Sequence, residues 1–569
     1  MMLLGINEDQ FDAGVALCHN GKVLFASNEE RYTRRKNEGG FPHQALAALL
    51  EQTKVDPRAI DGICVSGFMT PPLPVRLFPR IHYWLYNSRR EDPESWFRKA
   101  MDLVTFATPI THTSDDSLLR KLTRPLLVPI MRRTLPGPLK DRPVTFVEHH
   151  SVHTAGAWKL SGFEDTLCIT ADGMGDAHSM TVSRCSADKG IERLWYATSR
   201  NSIGMFFEML TEALGFVSHR DEGKLTGLAA MGDPARVKVP SPFSIVNGEI
   251  RYSGVYGLKG IRWARENLIS QYSREDVSAW AQQLLEDNIL SITRRWVRET
   301  GLRRVTVAGG IFANVKLNQH IHELDEVEQL FVYPNMGDAG LALGTVCAQD
   351  GLPLEPVTDV FWGDAYGDEA LEAALRRAGL VYERMPDPEL QTAELLAEGR
   401  VVARYRGEME WGPRALGNRS ILVRTTDRAV VDDLNTALDR SDFMPFAPAI
   451  LDEDAEKYLI GVDKARHAAE FMTVCFRCTE RMQREHPAVV HVDGTARAQL
   501  VRKDRNPSFH RILDEFKKRS GSGVLLNTSF NLHEEPIIRQ PEEAINAFLK
   551  AGLDYLALGP FLVRGKHLG

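Results

Sequence analysis

The sequence predicts an α/β protein in two parts, the first built from duplicated strand units. Three observations predict it. Residues 2–27 read as strand, acidic turn, strand, hairpin turn and strand: LLGI, NEDQFDAG, VALC, HNGK and VLFAS. Residues 166–197 repeat the plan with TLCIT, ADGMGDAH, SMTVSR, a polar turn and IERLWYA. Such internal repetition marks two similar lobes around a cleft. Finally, the Pro-rich stretch LPLEPVTDVFWGD at 352–364 lies between two different patterns and reads as a boundary. The parts are expected at 1–355 and 356–569.

Taken in order, HNGK between two β-rich runs is a hairpin signal. Residues 70–142 interrupt the pattern. PPLPVRLFPRIHYWLYNSRR and LLRKLTRPLLVPIMRRTLPGPLK mix aromatics, leucines, prolines and arginines. The segment reads as a helical insertion packed on its own domain, or as an amphipathic surface for a membrane or lipid-linked substrate. Its proline density opposes one long interfacial helix. NSIGMFFEMLTEALGF and EDVSAWAQQLLEDNILSITRRWVRETG carry apolar residues at helical spacing, and Gly301 suits a C-cap. RVTVAGGIFANV at 304–315 is a third β-run, which meets paired glycines and then a helix. After the boundary come VVARYRG, EWGPRALGNRSILV, FMPFAPAIL and VLLNTSFN, a second α/β pattern.

Bulk composition is that of an ordinary protein with a large core: 569 residues, 43% hydrophobic and 25% charged. A net charge of −7 opposes a protein built to coat nucleic acid. No apolar run approaches the roughly 18 residues a bilayer span needs. The start, MMLLGINEDQ, turns polar too soon for a signal peptide, so the expected location is the cytoplasm. Seven scattered cysteines make no disulfide framework, and the CxxC of Cys475 and Cys478 lacks the second pair a zinc site wants.

EHHSVHTAGAW, residues 148–158, carries the first chemical signal. On a helix, His149 and His153 share a face, while His150 points about 100° away. Two histidines at this spacing supply half a metal shell. Asp172 in ITADGMGD and Asp338 in NMGDAGLALG, both in Gly-flanked turns, offer the other half. A His2Asp2 set suits Fe(II), Mn(II) or Zn(II). Polar histidines at a helix start give the same pattern without a metal, and the sequence leaves both readings open.

The nucleotide signals are indirect. GxxxxGK[ST] is absent, because Ser218 stands where a glycine is needed before Gly223 and Lys224, and GxGxxG is absent too. ADGMGD and VAGGIFAN are turns whose backbone N–H groups can approach phosphates, although glycine pairs after strands also serve packing. In the second part, RYRGEMEWGPRALGNRS crowds Arg404, Arg406, Arg414 and Arg419, and GTAR adds Arg497. Arginine forks suit phosphates and carboxylates. LLNTSFN ends a strand with Thr528 and Ser529, hydroxyls able to reach a phosphate.

These motifs, with NEERYTRRKN, EGKLTGLAAMGD, MPFAP and DGTAR, stand in an order that resembles the carbamoyltransferases of the NodU/CmcH/TobZ family. The resemblance covers nearly the whole chain except 70–142. It implies an actin/hexokinase-like (ASKHA, Kae1-like) first domain and a YrdC-like α/β second domain. It further implies that ATP and carbamoyl phosphate give carbamoyl-adenylate in the second domain, with Mg(II) accompanying ATP. The carbamoyl group then passes to an acceptor hydroxyl in the first, which holds Fe(II) or another divalent ion. By motif, the implied ligands are His149, His153, Asp172 and Asp338. The implied nucleotide neighbours are Gly173, Lys224, Gly309, Gly310 and Asn314. The implied activating residues are Arg414, Arg419, Arg497 and Ser529, with Arg404 and Arg406 nearby.

The chain departs from the family at two places. Phe11 in FDAG stands where relatives carry a histidine, while Asp12 is kept; near LNTALDRSDFMPFAP a family lysine is absent, with Thr436 and Ala437 there and Arg440 as the remaining cation. The acceptor implied is a sugar, glycolipid or secondary metabolite. A homodimer and peripheral membrane contact through 70–142 are compatible with the resemblance; nucleic acid is not expected as partner. The alternatives are carbamoylation or related acylation of tRNA and a non-catalytic relative that binds ATP or metal.

Overall fold

The computed structural model describes residues 1–78, 81, 84, 96, 98–100, 118–246, 248–349, 351–429, 434–436 and 446–568. Much of the 70–142 segment, and the expectations for Ala437 and Arg440, lie outside them. The chain forms two compact units, one of Met1–Glu30 with Asn37–Val357, the other of Arg31–Lys36 with Thr358–Gly569. Among the described residues no helix is long and apolar enough to cross a membrane.

The first unit contains two five-stranded sheets. Strands β1 (Met2–Asn7), β2 (Gly14–His19) and β3 (Lys22–Asn28) form the opening meander. Asn20 and Gly21 turn the hairpin with φ of 48° and 78°, the pairing a type I′ turn demands. Helix α1 (His43–Thr53), β4 (Gly62–Ser66) and β5 (Val144–Val147) complete this half, in the order β3-β2-β1-β4-β5. Helix α2 (His149–Ser161) leaves β5 at once and stops at Gly162, whose φ is 73°.

The second sheet follows the same plan. Strands β6 (Asp165–Gly175), β7 (His178–Ser186) and β8 (Gly190–Thr198) form the meander. Then come α3 (Ile203–Ala213), α4 (Glu222–Ala229) and a small hairpin of β9 (Phe243–Val246) and β10 (Glu249–Tyr252). Helix α5 (Arg274–Thr300), capped by Gly301, leads to β11 (Arg304–Ala308), α6 (Val315–His322), β12 (Gln329–Val332) and α7 (Leu341–Cys347). The order β12-β11-β6-β7-β8 is that of the first sheet, with the first strand antiparallel to the second and parallel to the fourth in both. The duplicated strand units are thus a duplicated topology. Helix α7 closes onto the first sheet, where a Cβ on Gly5 would stand 1.9 Å from Ala342 O.

In the second unit, β13 (Tyr382–Arg384), α8 (Pro388–Ala397), β14 (Val402–Tyr405), β15 (Arg419–Arg424) and β16 (Ala447–Leu451) come first. A small sheet of β17 (Leu459–Ile460), β18 (Phe476–Cys478) and β19 (Thr495–Ala496) follows. Then come β20 (Gln499–Val501), α9 (Pro507–Ser520), β21 (Val524–Ser529), β22 (Tyr555–Leu558) and β23 (Phe561–Arg564). The main sheet runs β13-β23-β22-β14-β15-β21-β16-β20. Helices α8 and α9 bury Ala393, Leu396, Phe509, Ile512 and Leu513 with Val402, Leu422 and Leu525 from the strands. Cys475 and Cys478 are buried free thiols in this unit.

Candidate functional site

Helix α2 is fixed at its first residues. Glu148 caps it, its Oε2 accepting the Ser151 N–H at 2.7 Å. The His149 N–H donates to Asp176 Oδ2 at 3.0 Å. That carboxylate, in the turn from β6 to β7, also accepts the N–H groups of Phe68 and Met69 at 2.9 and 2.6 Å. One fully buried aspartate therefore ties the chain after β4 to the start of α2. One helical turn separates His149 from His153, whose rings lie 4.9 Å apart between centroids, both fully buried. Gly175 makes room for the first ring, since a Cβ there would stand 2.0 Å from His149 Cδ2.

Two carboxylates meet these rings. Asp172, near the end of β6, is oriented by backbone donors: Gly173 N–H to Oδ1 at 2.8 Å and Gly310 N–H to Oδ2 at 3.2 Å. Asp338 lies between β12 and α7. Asp172 Oδ2 is 3.3 Å from His153 Nε2 and 3.8 Å from His149 Nε2, while Asp338 Oδ1 is 3.3 and 3.4 Å from the same atoms. One ligand atom from each of the four residues lies within 4.8 Å of all the others.

The electrostatics call for a cation. Burial works against charge on His149, yet the carboxylates of Asp338, Asp172 and Asp9 overcome it and lift its pKa to about 10. His153 is raised as well, burial again losing to Asp172 and Asp338. Asp172 is held well below the usual carboxylate range, because both imidazoles outweigh its burial. His149 Nε2 makes no hydrogen bond of good geometry although fully buried. Buried charge and unbonded nitrogen are both costly, and a shared ion relieves both. The separations of 3.3–3.8 Å are those of ligand atoms sharing an ion at about 2.0–2.2 Å. The four residues fit a divalent metal.

The surroundings are acidic. Asn7 Nδ2 donates to the carbonyls of Asp338 and Asp12, at 2.8 and 3.1 Å. Asp12 has a φ of 60° and accepts from Asn37 Nδ2 at 3.1 Å. Burial, with Glu30 and Asp338 adding to it, raises its pKa to about 7. Asp9 is buried too, and burial with the Asp338 charge holds it well above its ordinary value. His150 faces elsewhere, with Nδ1 2.7 Å from Thr170 Oγ1 and Nε2 3.2 Å from the His178 carbonyl.

Of the residues named for the nucleotide, Gly173, Gly309 and Gly310 lie beside Asp172. Gly173 and Gly310 hold Asp172. Gly309, at φ 105°, passes so close to Ala171 that a Cβ would be 2.1 Å from its carbonyl oxygen. Asn314 caps α6 and reaches Thr226 Oγ1 on α4 at 3.3 Å. Lys224, also on α4, is 3.2 Å from Asp221 and sits over the Phe216 ring.

In the second unit the arginines divide. Arg414 and Arg497 are half-buried neighbours: burial and the Arg497 charge push Arg414 well below its ordinary pKa, and burial lowers Arg497. Two like charges held together suit an anion. Ser529 ends β21 opposite Ser420 of β15. Arg404 is buried, donating to the Gly417 carbonyl and to Ser508 Oγ, and Arg406 lies 4.0 Å from Glu389. These two arginines line a small cleft with Glu389, Thr392 and Gly559. Arg419 is fully buried; it donates to the carbonyls of Arg406, Asn418, Asp364 and Gly407 and stacks 3.7 Å over Tyr405. It shapes the turn from within, where the resemblance implies contact with a ligand. Its partner is Glu410, missed in the sequence, whose Oε1 accepts the N–H groups of Leu416, Asn418 and Arg419.

Comparison with known proteins identifies the family. Residues 2–347 match the model of the carbamoyltransferase N-terminus, and residues 393–565 that of the carbamoyltransferase C-terminus. The chain belongs to the carbamoyltransferase family. This carbamoyltransferase is 31% identical to nodulation protein NolNO of Sinorhizobium fredii over 98% of its own length and 79% of that chain. It is 32% identical to 3'-hydroxymethylcephem-O-carbamoyltransferase of Streptomyces clavuligerus, over 57% of its length and 61% of that chain. An uncharacterized protein of Methanocaldococcus jannaschii is 33% identical over 74% of each chain. Solved structures are matched distantly. HypF of T. kodakarensis, at TM-score 0.35 and 14% identity, covers 62% of this chain and 48% of that one, a likeness that bears on neither ligand nor reaction.

Within this transferase of carbamoyl groups, the structure brings His149, His153, Asp172 and Asp338 together and sets Asp12, Gly173, Gly309 and Gly310 around them. It brings Arg414 to Arg497, and leaves Arg419 inside the fold. Asp176 was missed although it lies in the quoted ADGMGD. Its signal was there: an aspartate after a glycine at a strand turn is a ready acceptor for backbone N–H groups.

Proposed function

We propose that this carbamoyltransferase uses ATP and carbamoyl phosphate to form carbamoyl-adenylate, and then moves the carbamoyl group to a hydroxyl of a sugar, glycolipid or other small metabolite. On this reading the first unit is the actin/hexokinase-like, carbamoyl-transferring part and the second the YrdC-like, adenylate-forming part. The repeated sheet order supports the former. The observation that carries the proposal is the convergence of four ligand atoms within 4.8 Å. The printed name of the cephem relative, an O-carbamoyltransferase, supports a hydroxyl acceptor.

The division of labour follows from the chemistry. Joining carbamate to AMP crowds phosphate charges, which Arg414 and Arg497 would offset while orienting the reacting oxygens. Ser529 would donate a hydrogen bond to a phosphate oxygen. In the first unit, His149, His153, Asp172 and Asp338 would hold a divalent ion. When bound, it supplies Lewis-acid polarisation of a carbonyl or phosphoryl oxygen. The N–H groups of Gly173 and Gly310 keep Asp172 turned inward, and Gly309 lets backbone approach a nucleotide.

The test is incubation with carbamoyl phosphate, ATP and Mg(II), with Fe(II), Mn(II) or Zn(II) added. Pyrophosphate is released by the native protein. Arg414→Ala abolishes release and keeps the first unit's metal content. Absence of pyrophosphate with every metal would overturn the proposal.

A further inference from the structure

A hydroxyl that attacks a carbamoyl carbon must lose its proton, and a well-placed base speeds such a step by roughly 10²–10⁴-fold. Next to the proposed metal ligands lies a second cluster of side chains that the mechanism above does not use. At its centre is His219, just before α4. Its ring lies face to face with Phe11, centroids 3.9 Å apart and planes 16° apart. Nε2 is 2.8 Å from Glu208 Oε1 on α3. Its backbone N–H donates to Glu222 Oε1 at 2.6 Å. His219 holds a φ of 61°, a left-handed conformation that a non-glycine residue keeps only where its surroundings hold it.

Two relations place this cluster beside the ligands. Phe11, on which the ring lies, is followed in the chain by Asp12, and Asp12 is close enough to Asp338 to be raised by its charge. The second oxygen of Glu208 is 4.0 Å from where a Cβ on Gly173, the neighbour of Asp172, would stand. The imidazole is thus linked to Asp12 through Phe11, its chain neighbour, and to Gly173 through Glu208. Its side chain is 29% exposed, so a ligand can reach it, whereas both metal-set imidazoles are fully buried.

We propose that His219, oriented by Glu208 and laid flat against Phe11, takes the proton from the acceptor hydroxyl. With Nε2–H donating to Glu208, the basic lone pair of the ring is on Nδ1. The acceptor oxygen forms its bond to the carbamoyl carbon as its proton moves to Nδ1. The bond from that carbon to the adenylate oxygen breaks, and AMP leaves with the electron pair. Glu208 stabilises the imidazolium formed, as a carboxylate behind a histidine does in other acyl transfers. Phe11 keeps water from one face and fixes the ring plane.

This inference rests on the proposed O-carbamoylation, and one experiment separates the two. Native protein is given carbamoyl phosphate, ATP, Mg(II) and Mn(II), with molar glycerol as a hydroxyl probe and water as the competing acceptor. Pyrophosphate reports the first step; AMP with O-carbamoylglycerol or ammonia reports the second. His219→Gly, which suits the positive φ, loses the second step by roughly 10²–10⁴-fold. Added imidazole restores it at least about tenfold, since a small base can enter the space left by the ring. Glu208→Gln keeps the shape and shifts the pH profile of the second step. Melting temperature and metal content confirm that the variants fold. An unchanged second step in His219→Gly, or a loss that imidazole does not answer, overturns the inference. Absence of pyrophosphate from the native protein sinks the parent reading and this one with it.

Discussion

Gly175→Ala tests the proposed metal centre without replacing any of its four donor residues. The added Cβ would stand 2.0 Å from Cδ2, 2.3 Å from Cγ and 2.4 Å from Nε2 of His149. Non-bonded carbons rest at about 3.5–4.0 Å, so ring or strand must give by about 1.5 Å. The ring is fully buried and its backbone is pinned by Asp176, so the clash falls on the position of Nε2. Functional constellations tolerate about 0.5 Å. Disturbing residues behind a ligand costs about 10–100-fold in metal affinity, and moving the ligand itself belongs at the upper end. The expected loss is therefore about 100-fold, or about 2.7 kcal/mol. Overpacking adds a folding cost of about 1–3 kcal/mol. Equilibrium dialysis with Mn(II) and Zn(II) reads the first effect and thermal melting with and without metal the second. Gly367→Ala, whose Cβ meets nothing within 4 Å, is the control. A Gly175→Ala protein that binds metal as tightly as the native one would refute the reasoning.

Further predictions address both units. Arg419→Met takes the donor from four backbone carbonyls, those of Asn418 and Asp364 buried and those of Arg406 and Gly407 partly so, and is expected to cost about 3 kcal/mol. Urea melts measure this, and native stability with selective loss of pyrophosphate release would contradict it. Burial lifts Glu470 to about 7 against the pull of Arg502 and Arg505. The folded state thus favours its neutral form; the stability this gives is full below about pH 4.5 and lost as pH rises through 7. Glu470→Gln should accordingly melt higher relative to native protein at pH 8 than at pH 5, and a difference independent of pH would count against it. Gly344 on α7 lies where a Cβ would be 2.7 Å from the Val152 carbonyl oxygen on α2. Gly344→Ala should lower melting temperature and metal affinity together, and loss of neither would show that the helices can part freely.

Much of the first unit was legible because its signals are local. Strand, acidic turn and strand recur in linear order, and the i, i+4 spacing places two imidazoles on one helical face. Asp172 and Asp338 stood out as carboxylates in Gly-flanked turns. What local patterns cannot carry is direction. Arg419 sits among Gly, Pro and Asn like Arg414, yet its guanidinium points inward to backbone carbonyls while Arg414 meets Arg497. Nothing in the spacing distinguishes them, because the choice is made by Glu410 gathering three N–H groups of the turn. The stacking of His219 on Phe11 joins distant parts of the chain, and the grouping of Arg31–Lys36 with the second unit depends on tertiary contacts.

The repeated topology also explains why the centre is composed as it is. The first hairpin of each sheet carries two aspartates: Asp9 and Asp12 follow β1, while Asp172 lies near the end of β6 and Asp176 in the turn beyond it. Asp12 and Asp176 both hold positive φ, at 60° and 48°. Equivalent junctions follow the fifth strand: α2 opens with His149, and α7 is preceded by Asp338. Of these related positions, Asp172, His149 and Asp338 belong to the four-residue donor set, and Asp9 is close enough for its charge to be felt by His149. His153 departs from the repeat. Carboxylates gathered in one buried place repel each other. Histidine at one helix junction and again one turn on converts that repulsion into a mixed donor set, with Asp9 left as the buried carboxylate whose charge is disfavoured. The asymmetry gives a mixed nitrogen and oxygen donor set, which suits Fe(II), Mn(II) or Zn(II) better than the hard ions an all-carboxylate set favours.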